Sequence, residues 1–150
     1  MNTFWWLDLE ETIINSWDDP RLCNVSKLKK LLSENNVKQV SIFSFAIWNE
    51  KDRQEFFDSL KEPIERALDV NITVVPTQEE ILKDVMKFTG CKWELHELSS
   101  VWGKHRSFFD FCQFNFTNTK CVLVDDAVPN MVLVNKDKNL EMELINVTKL

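Results

Sequence analysis

The sequence predicts an α/β fold with a mainly parallel sheet. Short apolar runs alternate along the chain with stretches of three- and four-residue apolar periodicity, the pattern of strands joined by helices. Two of those runs stop abruptly in carboxylates, in "FWWLDLEE" and "CVLVDD". An open parallel sheet places its ligand crevice at such strand ends. The length, 150 residues, suits one domain spanning 1–150, able to bury roughly 70% of the surface its unfolded chain exposes.

The first strand covers about residues 3–9, an aromatic run ending among Asp8, Glu10, Glu11 and Thr12. A helix over 25–34 follows, with Leu28, Leu31 and Leu32 on one face and Asn24 or Ser26 as its cap. "VKQVSIFSFAI" supplies a second strand near 39–45. Phe56, Phe57, Leu60, Ile64 and Leu68 then mark a helical region over 50–68, with a break or kink expected at Pro63. "NITVVPTQEEI" is the sharpest local signal: a β-branched strand runs into Thr77-x-x-Glu80, a capping box. That helix carries Ile81, Leu82, Val85 and Phe88 and stops near Gly90. Residues 91–103 carry no clear pattern. "KHRSFFDFCQF" reads as helix, "KCVLVDD" as a buried strand and "MVLV" as a fifth strand. The alternating tail "NLEMELINV" fits an edge strand, with a helix as the alternative.

Composition narrows the function. Only two glycines occur, so glycine-rich phosphate loops are excluded. A net charge of −6 argues against a non-specific nucleic-acid coat while allowing a local basic site. Cys23, Cys91, Cys112 and Cys121 are scattered without a C-x-x-C pair, the usage of reduced thiols in a cytoplasmic protein. With His96 and His105 the only histidines, a structural zinc site is not expected. No apolar run approaches the ~20 residues that span a bilayer, and no targeting peptide is visible.

The acids at the strand ends carry the chemistry. A single Asp after a strand is usually a solvated turn residue. Asp8-x-Glu10-x-Thr12 and Asp125-Asp126, each following an apolar strand, converge if the first and fourth strands are neighbours. Three or four carboxylates in one crevice repel one another and raise their pKa values. A divalent cation removes the conflict, and all-oxygen ligation with few protein ligands suits Mg²⁺.

With these residues in order, the chain resembles the haloacid dehalogenase superfamily over nearly its whole length. Its D-x-D-x-T motif is matched by "WWLDLEETI", with Glu10 in the second acidic place. The serine or threonine after the second strand is matched by Ser44, the upstream lysine by Lys104 in "WGKHRSFF", and the acidic pair by Asp125 and Asp126. Asn130 lies where the family often has a further acidic or amide residue. The resemblance implies a three-layer, Rossmann-like domain and phosphoryl transfer through an aspartyl phosphate on Asp8. It implies Mg²⁺ held by Asp8, the backbone carbonyl of Glu10 and Asp126, with Asp125 supporting them. Ser44 is implied to donate to a phosphoryl oxygen, and Lys104 to balance charge on nucleophile and phosphate. The second acid would protonate the leaving oxygen and then activate water.

Glu10 departs from the pattern. Its carboxyl stands about 1.5 Å further out than that of Asp, and a displacement of about 1 Å costs on the order of a hundredfold in rate. The expectation is a slow phosphatase or one shaped for an unusual substrate; the alternative is a binding or regulatory module with little turnover. Short connections around the motifs imply a minimal cap, and by analogy an open site for a nucleotide, a nucleic-acid end or another large phosphomonoester. Trp17, Trp48 and Trp102 are candidates for a stacking rim, against ordinary packing as the alternative. Arg106, with Lys104 and His105, forms the one basic cluster near the expected chemistry, a candidate to bind a second phosphate of the substrate, with a plain solvated helix start as the equal alternative. Lys27, Lys29 and Lys30 read as a wet helix face.

Overall fold

In the computed structural model, which describes residues 1–150, six strands form one sheet. They are β1 (Asn2–Leu7), β2 (Gln39–Ile42), β3 (Asn71–Ile72), β4 (Thr119–Asp125), β5 (Met131–Asn135) and β6 (Leu140–Asn146). Five helices join them: α1 (Val25–Glu34), α2 (Glu50–Ser59), α3 (Lys61–Leu68), α4 (Gln78–Thr89) and α5 (Lys104–Asn115). The spatial order is β3-β2-β1-β4-β6-β5, parallel throughout except where β5 runs against β6. This mainly parallel sheet flanked by helices is compatible with a Rossmann-like fold.

The alternation of side chains in β1 separates two cores. Leu7 packs with Ile42 and Val124 against Leu28 and Leu32 of α1 and Ile64 and Leu68 of α3. Trp6 faces the other way, with Phe43, Leu123 and Leu144, against Ile81 and Val85 of α4 and Phe108 and Phe111 of α5. Phe43 meets Phe108 edge-on at 4.9 Å and Trp6 meets Phe111 edge-on at 5.4 Å, the favoured aromatic geometry. Each such fully buried side chain contributes about 1.5–3 kcal/mol of transfer free energy. Absence of tyrosine fits walls that need no hydroxyl partner.

Local chemistry sets the helix limits. Thr77 and Glu80 form the expected capping box, and Gly90 closes α4 at φ 72°. The break expected at Pro63 lies earlier, at Leu60. Pro63 sits in the first turn of α3, where its missing N–H has no helical acceptor to lose, and its ring instead rules out continuity with the carbonyl of Ser59. Asn24 stands at the α1 N-terminus but makes no side-chain cap there; it is left-handed, at φ 54°. The lysines of α1 are exposed, as expected of a wet face.

The carboxyl-terminal region corrects the sequence reading. The tail is β6, paired on both sides, while the edge is β5. Leu140, Met142 and Leu144 are buried against α5, so the alternation of the tail reflects one covered face rather than an edge position. β1 and β2 also end sooner than expected, at Leu7 and Ile42, because the chain turns at the crevice. Residues 98–102 form a π-helical turn ahead of α5. No helix is long and apolar enough to cross a membrane.

Candidate functional site

β1 and β4 are neighbours, in register from Asn2↔Thr119 to Leu7↔Val124. The Asp8 N–H continues the ladder by donating to the Val124 carbonyl at 3.0 Å. The two acidic strand ends therefore meet. Asp8, Asp125 and Asp126 each bring a carboxylate oxygen within 4.8 Å of the others. Asp8 and Asp125 are buried, and Asp126 is half-buried.

Lys104 opens α5 directly behind Gly103, whose φ of 90° belongs to glycine. Its Nζ donates to Asp8 Oδ1 at 2.5 Å and lies 2.6 Å from Asp125 Oδ2. The second contact is charge against charge rather than a well-directed hydrogen bond, since Asp125 Oδ2 has no such donor. The ammonium also lies 5.6 Å from the centre of the Phe45 ring. Thr12 Oγ1 donates to Asp8 Oδ2 at 3.1 Å, with Asp126 Oδ1 at 3.4 Å. Asp125 Oδ1 accepts from the Ala127 N–H at 2.9 Å, fixing the turn after β4.

The charges do not balance. Burial opposes the ammonium of Lys104, but Asp8 and Asp125 outweigh it and raise its pKa. Burial likewise raises Asp8; Lys104 works against that shift, and Asp125 adds to it. Asp126 has no cationic partner, and burial together with Glu11, Asp125 and Asp8 pushes it up to about 7. One lysine facing three carboxylates leaves a charge deficit that a divalent cation would remove. The donor set, carboxylate oxygens with a hydroxyl at hand, is that of a hard cation.

Ser44 is buried beyond the end of β2, where the Phe43 N–H donates to Leu7 O at 2.9 Å. Ser44 Oγ accepts from the Ala46 N–H at 3.1 Å, so its proton remains available to a ligand. Glu10 is placed differently from the acids: its Oε2 accepts from the Trp17 N–H at 2.7 Å, tying down the segment after β1. Its carboxylate is not part of the three-acid cluster.

The rim residues divide. Trp48 is 55% exposed and free to meet a ligand. Trp17 is half-buried and packs against the α1-side core. Trp102 is committed: it lies 5.2 Å from Trp93 and its Nε1 donates to Asp110 Oδ2 at 2.6 Å. Arg106 stacks on Trp102, 5.1 Å from its ring centre, rather than reaching the acids. Asn130 Oδ1 accepts from the Asn146 N–H at 2.6 Å, and Asn146 in turn donates to the carbonyls of Asp126 and Val128. Asn130 thus braces the loop that carries Asp126.

The sequence assigned Glu11, Cys23 and Asn24 no part in the site. Glu11 adopts φ 61° and sets its carboxyl against that of Asp126, a hydrogen-bonding contact that helps raise the Asp126 pKa. Burial raises the Cys23 thiol pKa, with Asp126 and Glu11 adding to the shift. Asn24 Nδ2 donates to Glu11 O at 3.3 Å and Thr12 O at 3.1 Å, holding the turn that presents Asp8 and Thr12. An asparagine just before a helix reads as a cap, so no local signal distinguished this task. No protein-family model, curated protein or solved structure matches the chain.

Proposed function

We propose that the chain is an Mg²⁺-dependent phosphatase of the haloacid dehalogenase type, with a minimal cap, hydrolysing a phosphomonoester through an aspartyl phosphate on Asp8. The observation that carries this reading is the constellation of Asp8, Asp125 and Asp126 at two adjacent strand ends with Lys104 from the start of α5 between them. Asp8 and Asp126, with the Glu10 backbone carbonyl, would hold Mg²⁺, whose charge offsets the repulsion between carboxylate and phosphate. Asp8 attacks phosphorus, and the bond to the leaving oxygen breaks as that oxygen takes a proton from Glu10. Glu10 then takes a proton from water, which attacks the same phosphorus, frees Asp8 and releases inorganic phosphate. Lys104 holds the Asp8 carboxylate in place and shares its charge, and Ser44 donates to a phosphoryl oxygen. The exposed Trp48 supports a large substrate with a stacking group, such as a nucleotide or a nucleic-acid end.

One observation favours a second reading. Glu10 spends Oε2 on the Trp17 N–H, leaving only Oε1 for proton transfer. A regulatory module that binds Mg²⁺ and phosphate with little turnover would tolerate that arrangement. A phosphomonoester panel with Mg²⁺, run on wild type and Asp8→Asn, separates the two. Phosphate release that depends on Asp8 supports the enzyme. Absence of release across the panel, with Mg²⁺-dependent beryllofluoride binding, supports the module.

A further inference from the structure

Internal strands of a parallel sheet are normally apolar on both faces. β2 is not. Val40 and Ile42 face the α1-side core, while Gln39 and Ser41 lie on the side occupied by Phe4 and Trp6 of β1, with Ser41 in the same row as Trp6. Neither α4 nor α5 fully covers that stretch, and a cavity of about 470 Å³ remains there. It lies toward the amino ends of the strands, away from Asp8. Its walls are Phe4, Trp6, Phe111 and Phe116, and no charged side chain lines it.

The polar groups in this cavity are few and partly unspent. Ser41 and Thr73 satisfy each other at 3.0 Å, and Thr73 Oγ1 also reaches Val40 O at 3.3 Å, which leaves Ser41 Oγ able to accept. Asn115 commits its Nδ2 to Asp84 and Phe111 O, leaving Oδ1 as a second acceptor. Gln39 brings an exposed amide with both a donor and an acceptor. Arg53 borders the adjoining hollow but is already spent on Glu50, Glu80 and Val75 O, so a phosphate finds no cation there.

We infer that this aromatic-walled cavity is a second binding site, taking a neutral, planar heteroaromatic ring with an amide-like edge, as in a nucleoside. The size suits such a ligand, the accessible rings of Phe4 and Phe116 supply stacking faces over a floor closed by Trp6 and Phe111, and the free acceptors and amide match the donor and acceptor edge of a base. The site does not depend on the phosphatase reading.

The test is binding of adenosine, guanosine, cytidine and uridine, with indole as an aromatic lacking an acceptor edge. Saturation-transfer NMR and calorimetry on the full chain read it, in wild type, Gln39→Ala, Ser41→Leu and Asp8→Asn. Gln39 is exposed, so its truncation leaves the fold intact; a thermal melt checks that Ser41→Leu, which fills the floor, is folded. The expected result is saturable 1:1 binding of at least one nucleoside, weakened about tenfold by Gln39→Ala, abolished by Ser41→Leu and unchanged in Asp8→Asn. Three results would overturn the inference: no nucleoside saturates, both cavity variants bind like wild type, or indole binds as tightly as the nucleosides. Loss of binding in Asp8→Asn would also overturn it, by assigning the ligand to the acidic site.

Discussion

Lys104 Nζ donates to Asp8 Oδ1 at 2.5 Å across 96 positions of sequence. That single contact joins the start of α5 to the end of β1 and makes one site of two distant segments. Because Asp125 shares the same ammonium, removing it strands two buried carboxylates.

Lys104→Met should therefore act on both stability and turnover. Breaking a buried pair by deleting one partner costs about 3–5 kcal/mol, read as a lower urea midpoint at neutral pH. The double variant Asp8→Asn/Lys104→Met should lose less than the sum of the single changes, because one stranded charge is gone. Phosphatase activity in Lys104→Met should fall about a hundredfold or more. Additive stability losses would show that the contact does not couple the two residues.

The Asp126 carboxyl has its pKa raised by the fold from 3.8 to about 7. An acid whose pKa is raised on folding holds its proton more tightly in the native state, so its contribution to stability falls as pH rises through that window. Metal-free protein should lose stability from this group as pH climbs from about 4 to about 7. Mg²⁺ needs the ionised carboxylates, so it should restore stability above that range and do little below it. The gap in Tm between Mg²⁺ and chelator samples should thus widen between about pH 5 and about pH 8; a constant gap would refute the assignment.

Glu10→Asp sets two effects against each other. The shorter side chain, by about 1.5 Å, should lose the Trp17 N–H and cost about 1 kcal/mol. The same change gives the acid the shorter reach that the proposed phosphatase mechanism calls for, and turnover should rise about tenfold to a hundredfold. Initial rates and a denaturation curve on one preparation test both. Unchanged turnover would mean that the extra methylene is not what limits the reaction.

Asn24 combines a left-handed backbone with a side chain that braces the Glu11–Thr12 turn. Asn24→Gly keeps the conformation and loses the brace, costing about 1 kcal/mol. Asn24→Ala loses both and should cost about 1–2 kcal/mol more. The order of midpoints, wild type above Gly above Ala, is the expected outcome. Mg²⁺ affinity should weaken in both variants, as the turn that presents Asp8 loosens.

Much of this was legible locally. Thr77-x-x-Glu80 announced its helix because a capping box is complete within four residues. The apolar runs of β1 and β4 declared themselves, with their acids, because a buried strand ending in carboxylates needs a reason. Pro63 marked a helix boundary in the right region, but not the residue at which the chain breaks. The tail misled: alternation reports one covered face, and cannot say whether a further strand pairs beyond it.

The sequence by itself determined the α/β class, most of the element order and the two strand ends that finish in carboxylates, because periodicity, capping and residue type act over a few positions. Only the tertiary structure decided that Lys104 reaches Asp8, that Asp126 is left without a counter-charge, and that Trp102, Arg106 and Asn130 are spent on packing and bracing. It also decided that Glu10 turns to the Trp17 N–H. Those outcomes depend on strand order, on the direction in which each side chain leaves its backbone and on competition among partners brought together by folding, and none of these is written in any short stretch of the chain.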